Sequence, residues 1–141
     1  MEYQRFKEKV FVRMDPGEEI VAQVREIALK EKIQLASVSA LGAIGSFTVG
    51  VYHPKQKKYD SNCFCGDYEI VSLTGTITTK DGQFYSHLHM SAGNDKGQVF
   101  GGHLNEAVIS ATCEMVIDIV DGRVERRLDD KIGLNLFHFL K

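Results

Sequence analysis

Ser86-His87-Leu88-His89-Met90 carries two histidines one residue apart, and Gly102-His103-Leu104 supplies a third, so three of the chain's five histidines fall in one window. Neutral imidazole offers a nitrogen lone pair at physiological pH, which makes histidine the commonest metal ligand. Alternate side chains of an extended strand share a face, so His87 and His89 point the same way and suit one shared ion. Three imidazoles favour zinc, although copper, nickel and iron also accept them, and a tetrahedral ion with three protein ligands keeps one position open. The competing reading leaves these histidines on the half-polar face of a sheet, and His-x-His alone is too weak a motif to decide. A third histidine brought to the same face favours the metal.

Asn94-Asp95-Lys96-Gly97 reads as the hairpin turn that brings it there. A three-residue loop of Asp95, Lys96 and Gly97, with Gly97 left-handed, pairs Asn94 with Gln98 and sets His89 opposite His103. A two-residue loop at Asp95-Lys96 pairs His89 with Gly102 instead and turns His103 away, because a one-residue slip exchanges the two faces of a strand. The site therefore depends on Gly97.

The elements around this hairpin read as one helix and many strands. Val10-Phe11-Val12-Arg13 is a strand, and Asp15-Pro16-Gly17-Glu18-Glu19 a helix start, with Asp15 as cap, Pro16 at the first helical position and Glu18 and Glu19 at the positive end of the dipole. Ile20, Val21, Val24, Ile27 and Ala28 then recur with helical period, predicting a helix to about residue 32. Strands are predicted over 35–40, 46–52, 69–79, 84–92, 108–120 and 134–139, which are rich in β-branched and aromatic residues. Asp81-Gly82 signals one hairpin and Asp121-Gly122 another before Val124, while Gly42-Ala43-Ile44-Gly45 reads as a strand bend. The expectation is an α+β fold, one domain over residues 1–141 with a largely antiparallel sheet and one main N-terminal helix.

With 141 residues, 43% of them hydrophobic, the chain can build its own core. A net charge of −2 gives no overall basic field to draw it to phosphate backbones, so nucleic-acid binding is disfavoured. The polar start Met1-Glu2-Tyr3-Gln4-Arg5-Phe6-Lys7 lacks a signal peptide's apolar core and no run is long enough to span a membrane, giving a cytoplasmic expectation. Cys63, Cys65 and Cys113 do not form a disulfide framework and read as thiols.

The order Arg13-Met14-Asp15-Pro16-Gly17-Glu18-Glu19, Ala40-Leu41-Gly42-Ala43, Tyr68-Glu69-Ile70-Val71-Ser72-Leu73-Thr74-Gly75, His87-Leu88-His89 and Gly101-Gly102-His103-Leu104 resembles the plant and prokaryote conserved (PPC) domain family over nearly the whole chain, as a stand-alone prokaryotic member. The resemblance implies an α/β sandwich assembled as a homotrimer, with a metal, usually taken as zinc, on His87, His89 and His103. Plant relatives join the domain to AT-hook segments that bind AT-rich DNA. An AT-hook needs an Arg-Gly-Arg-Pro-like core for the narrow minor groove, and neither Pro16 nor Pro54 sits in one. Asp67, in Gly66-Asp67-Tyr68-Glu69-Ile70-Val71, also replaces a cation found at that place in plant members.

Other residues carry weaker signals. Glu69, a carboxylate in an apolar strand, is the candidate catalytic base or partner of an imidazole, against a solvent or subunit-interface role. Cys63-Phe64-Cys65 completes no structural zinc site, and Cys113 reads as a small core residue. His53 and His138 have no neighbouring ligand in sequence, and Lys55-Gln56-Lys57-Lys58 reads as a solvated loop. Arg123, Arg126 and Arg127 read as balanced by Asp121, Glu125, Asp129 and Asp130. Together these readings describe a homotrimer holding one divalent metal per chain, its open position used for water or a small anionic ligand, in a binding or regulatory role. The alternatives are a DNA-associated regulator and a metal-dependent hydrolase or hydratase using Glu69.

Overall fold

In the computed structural model, which describes residues 1–140, the chain runs β1 (Glu2–Phe6), β2 (Lys9–Met14), α1 (Ile20–Lys30), β3 (Ala36–His53), β4 (Lys58–Lys80), β5 (Gln83–Gly93), β6 (Val99–Ile119), β7 (Glu125–Asp129) and β8 (Leu134–His138). The α+β class expected from the sequence is the class observed. The strands form one sheet in the order β1-β2-β6-β3-β4-β7-β8, and β5 bonds to both β4 and β6, so the sheet closes on itself across these long central strands. Pairing is antiparallel except at Thr79 and Glu125, where β7 meets β4 in parallel. Apolar residues at alternate positions supply the core: Val10, Val12 and Met14 of β2, and Cys113, Met115 and Ile117 of β6, are all buried.

The helix buries Ile20, Val24, Ile27 and Ala28 and packs against β5 and β6. It starts later than the sequence suggests. Glu19 is the N-cap, its carboxylate accepting from the Val21 and Ala22 amides at 3.0 and 2.7 Å and from Ala107 of β6 at 3.1 Å. Asp15 is drawn off the capping role because it and Glu18 hold the Met1 amino group, at 2.9 and 2.6 Å. That leaves Pro16 in the turn before the helix rather than at its first position. At the other end Lys32 is left-handed (φ 56°) and Ile33 donates back to the Ala28 carbonyl at 2.8 Å, which closes the helix at Lys30.

Segments expected as separate strands, 35–40 and 46–52, are the two arms of β3, with register shifts beside Gly42 and Ser46 where the bend is expected. Residues 58–68, for which the sequence pattern predicts no strand, extend β4 toward its N-terminus and pair with β3. The polar N-terminus also forms a strand, β1, because β2 offers it an open edge. Asp81 and Gly82 both have positive φ (52° and 74°) and make the two-residue hairpin between β4 and β5. Asp121-Gly122 makes no hairpin: β7 leaves β6 and pairs with β4 and β8 instead.

The β5–β6 turn has the three-residue form. Gly97 has φ +72°, its amide donates to the Asn94 carbonyl at 2.9 Å, and the Asn94 amide donates to the Gln98 carbonyl at 3.0 Å. The Asn94 side-chain oxygen accepts from the Lys96 and Gln98 amides, both at 3.0 Å, fixing the loop from inside. A Cβ at Gly97 would meet nothing within 4 Å, so backbone conformation alone requires glycine there. Gly97→Ala is therefore expected to lower unfolding free energy by about 1 kcal/mol in a denaturant titration, and Gly97→Asn by less, since asparagine tolerates the left-handed region better.

Candidate metal centre

The hairpin register sets His89 directly opposite His103, and His87 lies two residues along β5 on the same face. The three imidazole rings gather with centroid separations of 5.1, 5.1 and 5.5 Å. One nitrogen from each lies within 4.8 Å of the others, and the Nε2 atoms of His87 and His89 are 3.3 Å apart. A tetrahedral ion with zinc–nitrogen bonds of about 2.0–2.1 Å spaces its ligand nitrogens by about 3.3 Å, the separation of the His87 and His89 nitrogens, and His103 brings the third donor within 4.8 Å of both. Two imidazole lone pairs facing one another at that distance repel unless a proton or a cation lies between them.

β4 is the template under the cluster. Thr74 pairs with His89 and Thr76 with His87, so a threonine stripe shares the histidines' face. Gly75, between them, lies so close to β5 that a Cβ would collide with the His87 carbonyl oxygen. On the other side Tyr59 packs edge-on against the His103 ring at 6.0 Å and donates to the Asn105 side-chain oxygen at 2.6 Å. Burial, with the neighbouring His103, Arg126 and His89 adding to it, pushes the His87 pKa down to about 4; burial and then His89 lower that of His103. Both rings are thus held neutral, the form that coordinates metal.

A cavity of about 720 Å³ opens over the cluster, bounded by the three histidines, Tyr59, Tyr85 and Arg126. The charge count sets Arg126 against nearby acids, but the structure differs: among the described residues no carboxylate pairs with it. Strand alternation in β7 turns Glu125 and Arg127 away from Arg126. Glu125 instead accepts from Arg123 (Nε, 2.7 Å) and from the Thr79 hydroxyl (2.7 Å). Arg126 is 7% exposed, and nothing in the sequence around it marks it out, because its inward side follows from β7 lying beside the threonine face of β4.

The remaining candidates lie apart from the cluster. Glu69 is exposed and pairs with Gly93, four residues along β5 from His89, or roughly 13 Å at about 3.3 Å per residue. In Cys63-Phe64-Cys65 the two thiols are exposed and unpaired, while Phe64 stacks on Phe47 and Phe100 at 5.0 and 4.7 Å. Cys113 is buried in the core, as expected. His53 faces Asp60 at 3.4 Å, and Lys57 donates to the Asp130 carbonyl at 2.6 Å. Among the described residues no helix is long and apolar enough to cross a membrane.

A strand-rich α+β chain with a three-histidine cluster on one sheet face defines the class of protein, and sequence comparison gives the family. Residues 1–121 match the Plants and Prokaryotes Conserved (PCC) domain, so the chain belongs to the family whose motifs it resembles. A candidate DNA-binding protein from Bacteroides thetaiotaomicron is similar at 31% identity and TM-score 0.95, covering 98% of this chain and 96% of that one. A metal-containing protein from Archaeoglobus fulgidus is similar at 33% identity and TM-score 0.86, covering 98% and 97%. AT-hook motif nuclear-localized protein 14 of Arabidopsis thaliana is 30% identical over 107 residues, 75% of this chain. The chain spans only 19% to 25% of the length of the curated relatives it matches.

The lowered histidine pKa fixes the sign of a pH effect. In metal-free protein an unfolded His87 binds a proton below its ordinary value of 6.5, whereas the folded one does so only near 4. Unfolding therefore takes up a proton in that window, and stability falls as pH drops from about 6.5 to 4. Urea titrations of the apoprotein across this range should show that slope, and His87→Gln should reduce it; an equal slope in the variant would contradict the burial of His87.

Proposed function

We propose that this chain is a metal-binding protein of the PCC family that holds one divalent ion, zinc by ligand preference, on His87, His89 and His103, and uses it to bind a small ligand in a regulatory or sensing role. The carrying observation is the meeting of three imidazole nitrogens within 4.8 Å on two strands whose register a single turn enforces. The metal-containing A. fulgidus relative supports the reading. When bound, the ion would supply a positive charge and an open coordination position. The chain itself supplies three neutral donors, with Tyr59 packed against one of them, and a cavity beside them.

Binding is preferred to hydrolysis or hydration because none of the residues lining the cavity is a carboxylate, and Glu69, the only base the sequence nominated, stands away from it. We further propose a cytoplasmic homotrimer with each copy an α/β sandwich. Exposed Phe11, Leu41 and Val71, at 50%, 58% and 61%, border a groove of about 880 Å³ and are suited to burial between copies. A DNA-associated role is the second reading, favoured by the candidate DNA-binding and AT-hook relatives. Against it stand the net charge of −2 and the lack of an Arg-Gly-Arg-Pro core in these residues.

Elemental analysis of untagged protein should find about one zinc-class ion per chain, lost in His87→Ala and His103→Ala. Metal content unchanged in the double variant would overturn the site. Light scattering should give a mass of three chains, and a monomer at micromolar concentration would remove the trimer. Fluorescence anisotropy with AT-rich duplex should show only weak binding, abolished at physiological salt; submicromolar, sequence-selective binding there would promote the DNA reading.

A further inference from the structure

Arg126 is a buried cation without a buried anion. Its Nε donates to the Thr78 hydroxyl at 3.1 Å, one terminal nitrogen to the Asn135 carbonyl at 3.1 Å and the other to the Thr76 hydroxyl at 3.2 Å. The guanidinium lies over the Phe137 and Tyr85 rings, 4.3 and 5.1 Å from their centroids. All its partners are neutral, and among the described residues no carboxylate pairs with it. Burying an unpaired charge is costly, and proteins ordinarily pair such charges or place them where a ligand completes the pair.

Its position says where that ligand lies. Thr76 pairs with His87, so a guanidinium bonded to Thr76 sits on the histidine face, and Arg126 lines the same cavity as the three imidazoles. Three of its five N–H groups are engaged, which leaves two on its terminal nitrogens for an acceptor. The segment carrying it, the β7–β8 hairpin, lies beyond the residues 1–121 that match the family. We propose that Arg126 is the recognition residue for a small monocarboxylate bound between the guanidinium and the histidine cluster. This deepens the small-ligand reading above and rests on it.

The cavity favours a carboxylate over a phosphate. Arg126 is the only cationic side chain among its lining residues, and its two free N–H groups match the two oxygens of a carboxylate; the bound ion would add positive charge but no further hydrogen-bond donors for the remaining oxygens of a phosphate. Val51, Pro54, Leu134 and Leu136 give the lining an apolar portion beside the amides of Asn105 and Asn135, which suits a ligand with one charged end and a short hydrocarbon body. Tyr85 and Phe137 hold the guanidinium plane fixed, so little freedom is lost when the ligand binds.

The test is calorimetric titration of isobutyrate, and separately of inorganic phosphate, into the metal-loaded wild type, Arg126→Lys and Arg126→Gln, with zinc content measured on each. Isobutyrate should bind the wild type, weaken about tenfold or more in Arg126→Lys, which keeps the charge but loses the fork, and fail in Arg126→Gln, with zinc content unchanged in all three. Equal binding by Arg126→Gln, or preference of the wild type for phosphate, would overturn the proposal. So would a fall in oligomer mass in Arg126→Gln with no isobutyrate binding to the wild type, which would assign the cation to a carboxylate of a second copy. If the variants do not fold, the wild type still decides: the Arg126 Nε–H NMR resonance should shift on titration with isobutyrate, and an unmoved resonance would overturn the proposal. Because zinc is measured separately, loss of the metal reading and loss of the carboxylate reading are distinct results.

Discussion

The register of the β5–β6 hairpin is the constraint on which the site depends. His89 faces His103 only because three residues, not two, separate the paired Asn94 and Gln98, and that loop needs a residue at φ +72°. A slip of one residue would turn His103 to the opposite face and leave a pair of imidazoles without the third. The same register places buried Leu88, Met90 and Leu104 toward the core, so the apolar and the polar faces of the hairpin specify one pairing together. Core packing and site geometry are one choice here, which is why the site costs little extra order.

β4 carries the second half of the arrangement. Its C-terminal arm pairs with β5 and presents Thr74, Thr76 and Thr78 at alternate positions, a row of hydroxyls on or beside the histidine face. Thr76 and Thr78 accept from Arg126, and through it the β7–β8 hairpin is held beside the cavity. Desolvation then acts in one direction on the whole site. It lowers the pKa of His87 and His103, keeping their lone pairs free, and it strengthens the field of the fixed Arg126 cation. Neutral donors, a cation beside them and no acid among the lining residues are the electrostatics that the proposed anionic ligand needs.

The histidine geometry was legible because it rests on local rules, strand alternation and turn length, that residues 86–103 satisfy on their own. The helix was legible from its period, but its start was not: Asp15 is a better cap by type than Glu19, and only the contact of Asp15 with Met1 and of Glu19 with Ala107 reverses that order. Residues 58–68 were missed as strand because their many polar side chains are tolerated on an exposed arm, where pairing with β3 rather than burial makes the strand. Arg126 was hidden by composition. A count of charges around 121–130 balances, and only the knowledge that β7 lies beside the threonine face of β4 shows that one of those arginines points inward.

The central claim, three imidazoles around one ion with a fourth position open, is tested most directly by X-ray absorption spectroscopy of the zinc-loaded protein. The geometry predicts a first shell of three imidazole nitrogens at about 2.0–2.1 Å and one further light oxygen donor. A sulfur shell at about 2.3 Å, which would implicate the exposed thiols of Cys63 and Cys65, or four imidazoles, which would close the site, would contradict it.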